Sequence, residues 1–92
     1  MHCTWHDDKN NCNIKTHKLS FEVAQHVFDD PLHISRLDRI ENGEERWQSV
    51  GQIAGRYIVL VAHTYPGTEE VRIISARKAT RKERRHYEEG TY

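Results

Sequence analysis

Apolar positions along the chain fall into strand-length and helix-length patterns. Tyr57–Thr64 (YIVLVAHT) is nearly continuous in apolar residues, as a central strand requires. Val71–Ala76 alternates, which predicts Val71, Ile73 and Ser75 on one side and Arg72, Ile74 and Ala76 on the other. Glu45–Ile53 and the shorter Leu32–Leu37 complete the strand candidates, and Trp5 is expected in a short edge strand or extended arm. Asn42-Gly43 and Ala54-Gly55 read as turns between them. Pro66-Gly67 reads as a further hairpin, with proline fixing the first turn position and glycine taking positive φ at the second.

Three stretches carry helix signals. Asp7 is a fair N-cap for a helix through Thr16, although Asn10, Asn11 and Asn13 have low helix propensity. Ser20 caps a second helix whose apolar stripe is Phe21, Ala24, Val27 and Phe28, and Pro31 stops it by excluding Asp30 from helical geometry. Thr80 and Glu83 form a Thr-x-x-Glu capping box, so a third helix starts at Thr80 or one residue later. The expected architecture is one α+β domain over residues 1–92, with two N-terminal helices, a three- to four-stranded antiparallel sheet and a C-terminal helix.

Charge changes this picture more than composition does. With 92 residues, 36% of them hydrophobic, the chain can bury one modest core. No apolar run approaches the roughly 20 residues of a membrane span, and the N-terminus lacks the pattern of a secretory signal. The expected location is cytoplasmic, with Cys3 and Cys12 reduced. A zinc site assembled from Cys3, His6, Cys12 and His17 lacks the compact paired knuckles of known sites, so no metal or cofactor is expected. The formal net charge is zero, which argues against a generic nucleic-acid coat. Yet Arg72, Arg77, Lys78, Arg81, Lys82, Arg84 and Arg85 crowd one short segment in which Glu83 is the sole acid. Arg81 and Lys82 stand in a first helical turn, where the macrodipole disfavours cations. That placement suits an arriving anion, but it equally suits a solvated basic helix.

These residues also carry a resemblance. RIISARKAT followed by ERRHYEE, with SFE at Ser20–Glu22 and VFDDP at Val27–Pro31, resembles the BrnT family of ribonuclease toxins. Trp5-His6-Asp7, Lys9, Asn13, Lys15, His17, Glu44-Glu45-Arg46, Gly51 and His63-Thr64 extend the likeness over nearly the whole chain. Lys18 departs from it, standing where the family has a glycine that closes the first helix. The resemblance implies a small RelE-like fold and an endoribonuclease toxin of a type II toxin–antitoxin system. It further implies a BrnA-like antitoxin as partner and contact with operator DNA only through the antitoxin complex.

Metal-independent RNA cleavage needs a base for the ribose 2′-hydroxyl, cations for the charge developing at phosphorus, and an acid for the departing 5′-oxygen. Arg77, directly after the last strand, is the first choice to grip phosphate; its alternative is a pair with a helix acid that holds the third helix. Arg46 and Arg72 are further candidates, each with a salt bridge to Glu44, Glu45 or Glu70 as the alternative. Lys78, Arg81 and Arg84 would support RNA binding. For proton transfer the candidates are His63, His17 and Glu83, with a satisfied strand-end histidine, a helix closer and a capping acid as their respective alternatives. Tyr65 and Trp5 could stack on a base, or Trp5 could simply be core. Tyr87 reads as the anchor of the third helix. A runner-up function is a non-catalytic nucleic-acid- or protein-binding module on the same fold.

Overall fold

A computed structural model describes residues 2–91. The elements are β1 (His2–Thr4), α1 (Asp7–His17), α2 (Phe21–Ala24), a 3₁₀ turn over Gln25–Asp29, β2 (Ile34–Glu41), β3 (Glu44–Ile53), β4 (Tyr57–Thr64), β5 (Glu70–Lys78) and α3 (Arg81–Glu89). They form one five-stranded sheet in the order β1-β5-β4-β3-β2. The sheet is mixed, not purely antiparallel as expected, because β1 runs parallel to β5 over Glu70–Arg72. With only His, Cys and Thr, β1 is too short and too polar to show a strand period.

Both β2–β3 and β3–β4 are tight hairpins. Asn42 and Gly43 have φ of 53° and 78°, and Ala54 and Gly55 have φ of 52° and 61°. Positive φ at both central residues matches the right-handed twist of the flanking strands. The connection at Pro66-Gly67 is different. It spans residues 65–69, and Gly67 does not take positive φ, since a loop of this length closes without it. β2 is displaced toward the C-terminus of its expected position and pairs with β3 from Ile34 to Glu41.

The main core lies between one face of the sheet and the first helices. Phe21, Ala24 and Val27 pack there against Ile53, Val59, Val61, Ile73 and Ala76. Gly51 lets the 3₁₀ turn approach this closely, because a Cβ there would stand 2.9 Å from Val27 Cγ1. Asn10 and Asn13, poor helix formers, are buried in α1 and tie it to its neighbours. Asn10 accepts from Phe21 N at 2.9 Å and donates to Glu22 at 2.9 Å. Asn13 accepts from Ala76 N at 3.1 Å and donates to Ala76 O at 2.9 Å and Leu19 O at 2.7 Å. Beyond the end of β1, the Asn13 carboxamide thus pairs with the backbone of β5 as a neighbouring strand would. Lys18 closes α1 in the left-handed conformation, φ 58°, and donates its N–H to Ile14 O. Lysine therefore keeps the backbone that a glycine would take more cheaply.

α3 begins at the expected capping box, with Thr80 and Glu83 bonded reciprocally. It lies against β3, and Tyr87 Oη donates to Asp30 Oδ2 at 2.6 Å. Asp30 also accepts from Gln52 N at 2.8 Å and Leu32 N at 2.9 Å. Burial alone would raise this carboxyl, but its three hydrogen bonds and nearby His33 hold it below the usual range. Burial, with the hydrogen bond to Asp30, pushes the Tyr87 phenol up to about 12. No helix among the described residues is long and apolar enough to cross a membrane.

Candidate active site

A β-bulge decides which side chains meet. Ala62 pairs with Ser75 but His63 pairs with Ile73, leaving Ile74 as an extra residue in β5. The simple alternation expected for Val71–Ala76 is therefore broken. Val71, Ile73 and Ala76 are buried, and Arg72, Ser75 and Arg77 share the opposite side. Without the bulge Arg72 and Arg77, five positions apart, would point to opposite faces. Arg46 joins them, because Gln48 opposes Ala62 and Arg46 lies two residues away on the same side of β3.

Two adjoining clefts run over this face. One includes Arg46, Gln48, Ala62, Ser75 and Arg77. The other is lined by His6, Lys9, Glu44, Arg46, Thr64 and Arg72, so Arg46 belongs to both. Arg46 stands 3.5 Å from Glu44 and 3.8 Å from Glu41, and Arg72 stands 3.7 Å from Glu70. These separations lie at or beyond the outer limit of a hydrogen bond, so the carboxylates restrain the two guanidiniums loosely. Arg77 is held far more firmly. Its Nη1 donates to Glu83 Oε1 at 2.8 Å, its Nη2 donates to Glu83 Oε2 at 2.9 Å, and Nη1 also reaches Lys78 O at 3.2 Å. This is the pairing with a helix acid that stood as the alternative to phosphate binding. The Arg77 hydrogen bonds hold the Glu83 carboxyl below its ordinary value, which makes it a weak base.

Other expected site residues lie elsewhere. His63 borders the first cleft, but its side chain is fully buried. Its ring packs edge-to-face on Phe28 and Tyr65, each centroid at 5.0 Å, and Nε2 lies 2.7 Å from Ser49 Oγ. Burial lowers its pKa to about 4, and His33 adds to the effect, so the imidazole is neutral and shielded from a ribose hydroxyl. His17 ends α1, exposed, in a groove with Asp8, Cys12 and Ser75. Lys78 pairs with Val59 and lies over Tyr57, its Nζ 5.9 Å from the ring centroid. Trp5 makes a T-shaped contact with Phe21, ring centroids 6.1 Å apart, and packs on the core. Tyr65 is part-exposed and edge-on to Trp47 at 5.5 Å. Arg81 and Arg84 are exposed on α3. Among the described residues no group of three or more His, Cys, Asp or Glu is placed to hold a metal ion, so Cys3, His6, Cys12 and His17 are not gathered.

His6, Lys9, Gln48 and Thr64 were not singled out as site residues from the sequence. Thr64 reaches the cationic face because it opposes Arg72 across β4 and β5, a register that depends on the bulge.

A small α+β domain with arginines gathered on one sheet face beside a capped helix has the build of a compact ribonuclease toxin. The crystal structure of the Brucella abortus ribonuclease toxin, BrnT, shares the fold, with a TM-score of 0.65 and 23% identity over 88% of this chain and 99% of that one. The model of the family described as the ribonuclease toxin, BrnT, of type II toxin–antitoxin systems matches residues 5–83. The chain belongs to that family. No curated protein matches it in sequence.

Proposed function

We propose that this chain is an endoribonuclease that cleaves RNA by metal-independent acid–base chemistry on the open face of the sheet. The observation that carries this reading is the convergence of Arg46, Arg72 and Arg77 on one face, made possible by the bulge at Ile74. Guanidinium forks match the oxygens of a phosphodiester and stabilise charge as the phosphorus becomes five-coordinate. In the reaction a base takes the 2′-hydroxyl proton, the 2′-oxygen attacks phosphorus, and the 5′-oxygen departs with a proton from an acid. The products are a 2′,3′-cyclic phosphate and a 5′-hydroxyl.

The residues divide these tasks as follows. Arg46 and Arg72, loosely restrained, are best placed to grip phosphate. Arg77 lines the same face while Glu83 fixes its orientation, so it both positions the site and holds α3. His6, which shares a cleft with Arg46 and Arg72, takes the proton-transfer role for which His63 is too deeply buried. The exposed Arg81 and Arg84 extend the basic surface along α3. Neutralisation is assigned to a BrnA-like antitoxin, with operator DNA contacted only through that complex, in the cytoplasm.

Incubation of the purified chain with a defined RNA, with and without chelator, tests this. Cleavage is expected to persist in chelator and to leave cyclic phosphate ends, and expression of the chain alone should arrest growth until a BrnA-like antitoxin is co-expressed. Activity that vanishes in chelator and returns with added metal would overturn the metal-independent route. RNA binding without cleavage would favour a non-catalytic module.

A further inference from the structure

The second cleft contains a buried group that the fold does not use. Thr64 is 1% exposed, yet its Oγ1 has no hydrogen-bond partner among the described residues. Arg46 Nε is also buried and lacks a hydrogen-bond partner among the described residues. Two polar atoms left unsatisfied in one cleft cost free energy that packing does not return. Valine in place of Thr64 would fill nearly the same volume without the cost. Thr64 lines this cleft together with Arg72, Lys9 and Arg46, and Glu44 is the one carboxylate among the lining residues.

We propose that Thr64, Arg46, Arg72 and Lys9 form a seat for one phosphodiester of the RNA strand, separate from the Arg77 end of the face. The hydroxyl donates to one phosphate oxygen, and the guanidiniums and the ammonium supply donors and charge to the others. A phosphate here displaces the carboxylates from Arg46 and Arg72, whose present separations of 3.5–3.8 Å are loose. Thr64 lies four residues along β4 from Leu60, the partner of Arg77. That is about 13 Å of strand, so the two ends of the face engage different parts of the substrate. An internal phosphodiester fits this arrangement, since the strand must continue from the seat toward Arg77. The inference rests on the RNA-cleaving reading, and the following experiment separates the two.

Binding is measured with a single-stranded RNA oligonucleotide whose 2′-O-methyl sugars prevent cleavage, made with either a 5′-hydroxyl or a 5′-phosphate. Thr64→Val is expected to unfold at the same or a higher temperature than the wild type while binding the RNA about tenfold more weakly. Thr64→Ser, which keeps the hydroxyl, should stay within about twofold of the wild type. Lys9→Ala should flatten the dependence of log K on log salt by about one unit. Unchanged RNA affinity in Thr64→Val overturns the seat. A preference for the 5′-phosphate that is present in the wild type and lost in Thr64→Val would assign the seat to a terminal phosphate and overturn the internal one. Should the wild type bind no RNA, inorganic phosphate becomes the probe. A rise in unfolding temperature with phosphate in the wild type but not in Thr64→Val keeps the anion seat while the RNA reading fails. No rise in either removes both.

Discussion

His63 and Thr64 are neighbours in sequence, and the two faces of the sheet give them opposite tasks. On the face covered by the first helices, His63 is neutral and enclosed by Phe28, Tyr65 and Ser49. On the open face, Thr64 stands among Arg46, Arg72 and Lys9. A histidine at the end of a central strand looks like chemistry when read by residue type alone. The sheet shows that the period-2 alternation, corrected by one bulge, determines which polar side chain can meet a substrate. The covered face should answer to substitution through stability, and the open face through RNA.

The sharpest break of that contrast on the covered side is Phe21→Ala. Phe21 is fully buried at the centre of the cluster, so its truncation should cost about 3–5 kcal/mol, read by denaturant unfolding. A loss below about 1 kcal/mol would mean that the first helices contribute little to the fold.

Titration sharpens the same contrast. The His63 pKa falls from 6.5 to about 4 on folding. Between these values the unfolded chain binds a proton that the folded chain does not. The contribution is therefore full above pH 6.5 and is lost as pH falls toward 4, by roughly 3 kcal/mol. His63→Asn should flatten that slope in unfolding curves. It should leave the loss at lower pH, where Asp30 and Glu83, both depressed in the folded state, take up protons. An unchanged slope would place the titration elsewhere.

Asn13→Ala should cost about 2–3 kcal/mol, because it strips partners from both the N–H and the carbonyl of Ala76. Thermal and denaturant unfolding measure it; a neutral outcome would show that water replaces the carboxamide. The smallest effect is a gain. Lys18→Gly should stabilise by about 0.5–1 kcal/mol, since Lys18 holds φ at 58°. Destabilisation would show that the lysine side chain contributes more than its backbone strain costs.

Particular residues show how far the sequence could be read. Tyr57–Thr64 emerged with its predicted bounds, and Thr80 and Glu83 closed the capping box at the expected place, because both signals are local. Ser20 likewise caps α2, its hydroxyl oxygen accepting from Val23 N. Asn10 and Asn13 weakened the reading of α1, since propensity ignores the hydrogen bonds they make to Phe21 and Ala76. The bulge at Ile74 was illegible, as it arises from the pairing of β4 with β5 and has no mark in VRIISA itself. An unbroken alternation puts Ala76 and Ser75 on the wrong sides and separates Arg72 from Ser75 and Arg77. For Arg77 the sequence leaves phosphate and a helix acid open as partners, and the way α3 returns over the sheet makes Glu83 that acid. The site was thus legible as a set of cations and not as a geometry.

The most direct test of the account is the rate of RNA cleavage by purified Arg46→Ala and His63→Asn, compared at pH 7.5 with the wild type under conditions where all three are folded. Arg46 lines both clefts of the open face, whereas the His63 side chain is buried away from it. The predicted result is a loss of about 100-fold or more for Arg46→Ala, as for removal of a transition-state donor, and a rate within about threefold of wild type for His63→Asn, whose ring has no part in the proton transfer. An active Arg46→Ala beside an inactive, folded His63→Asn would contradict the account and return the chemistry to the covered face.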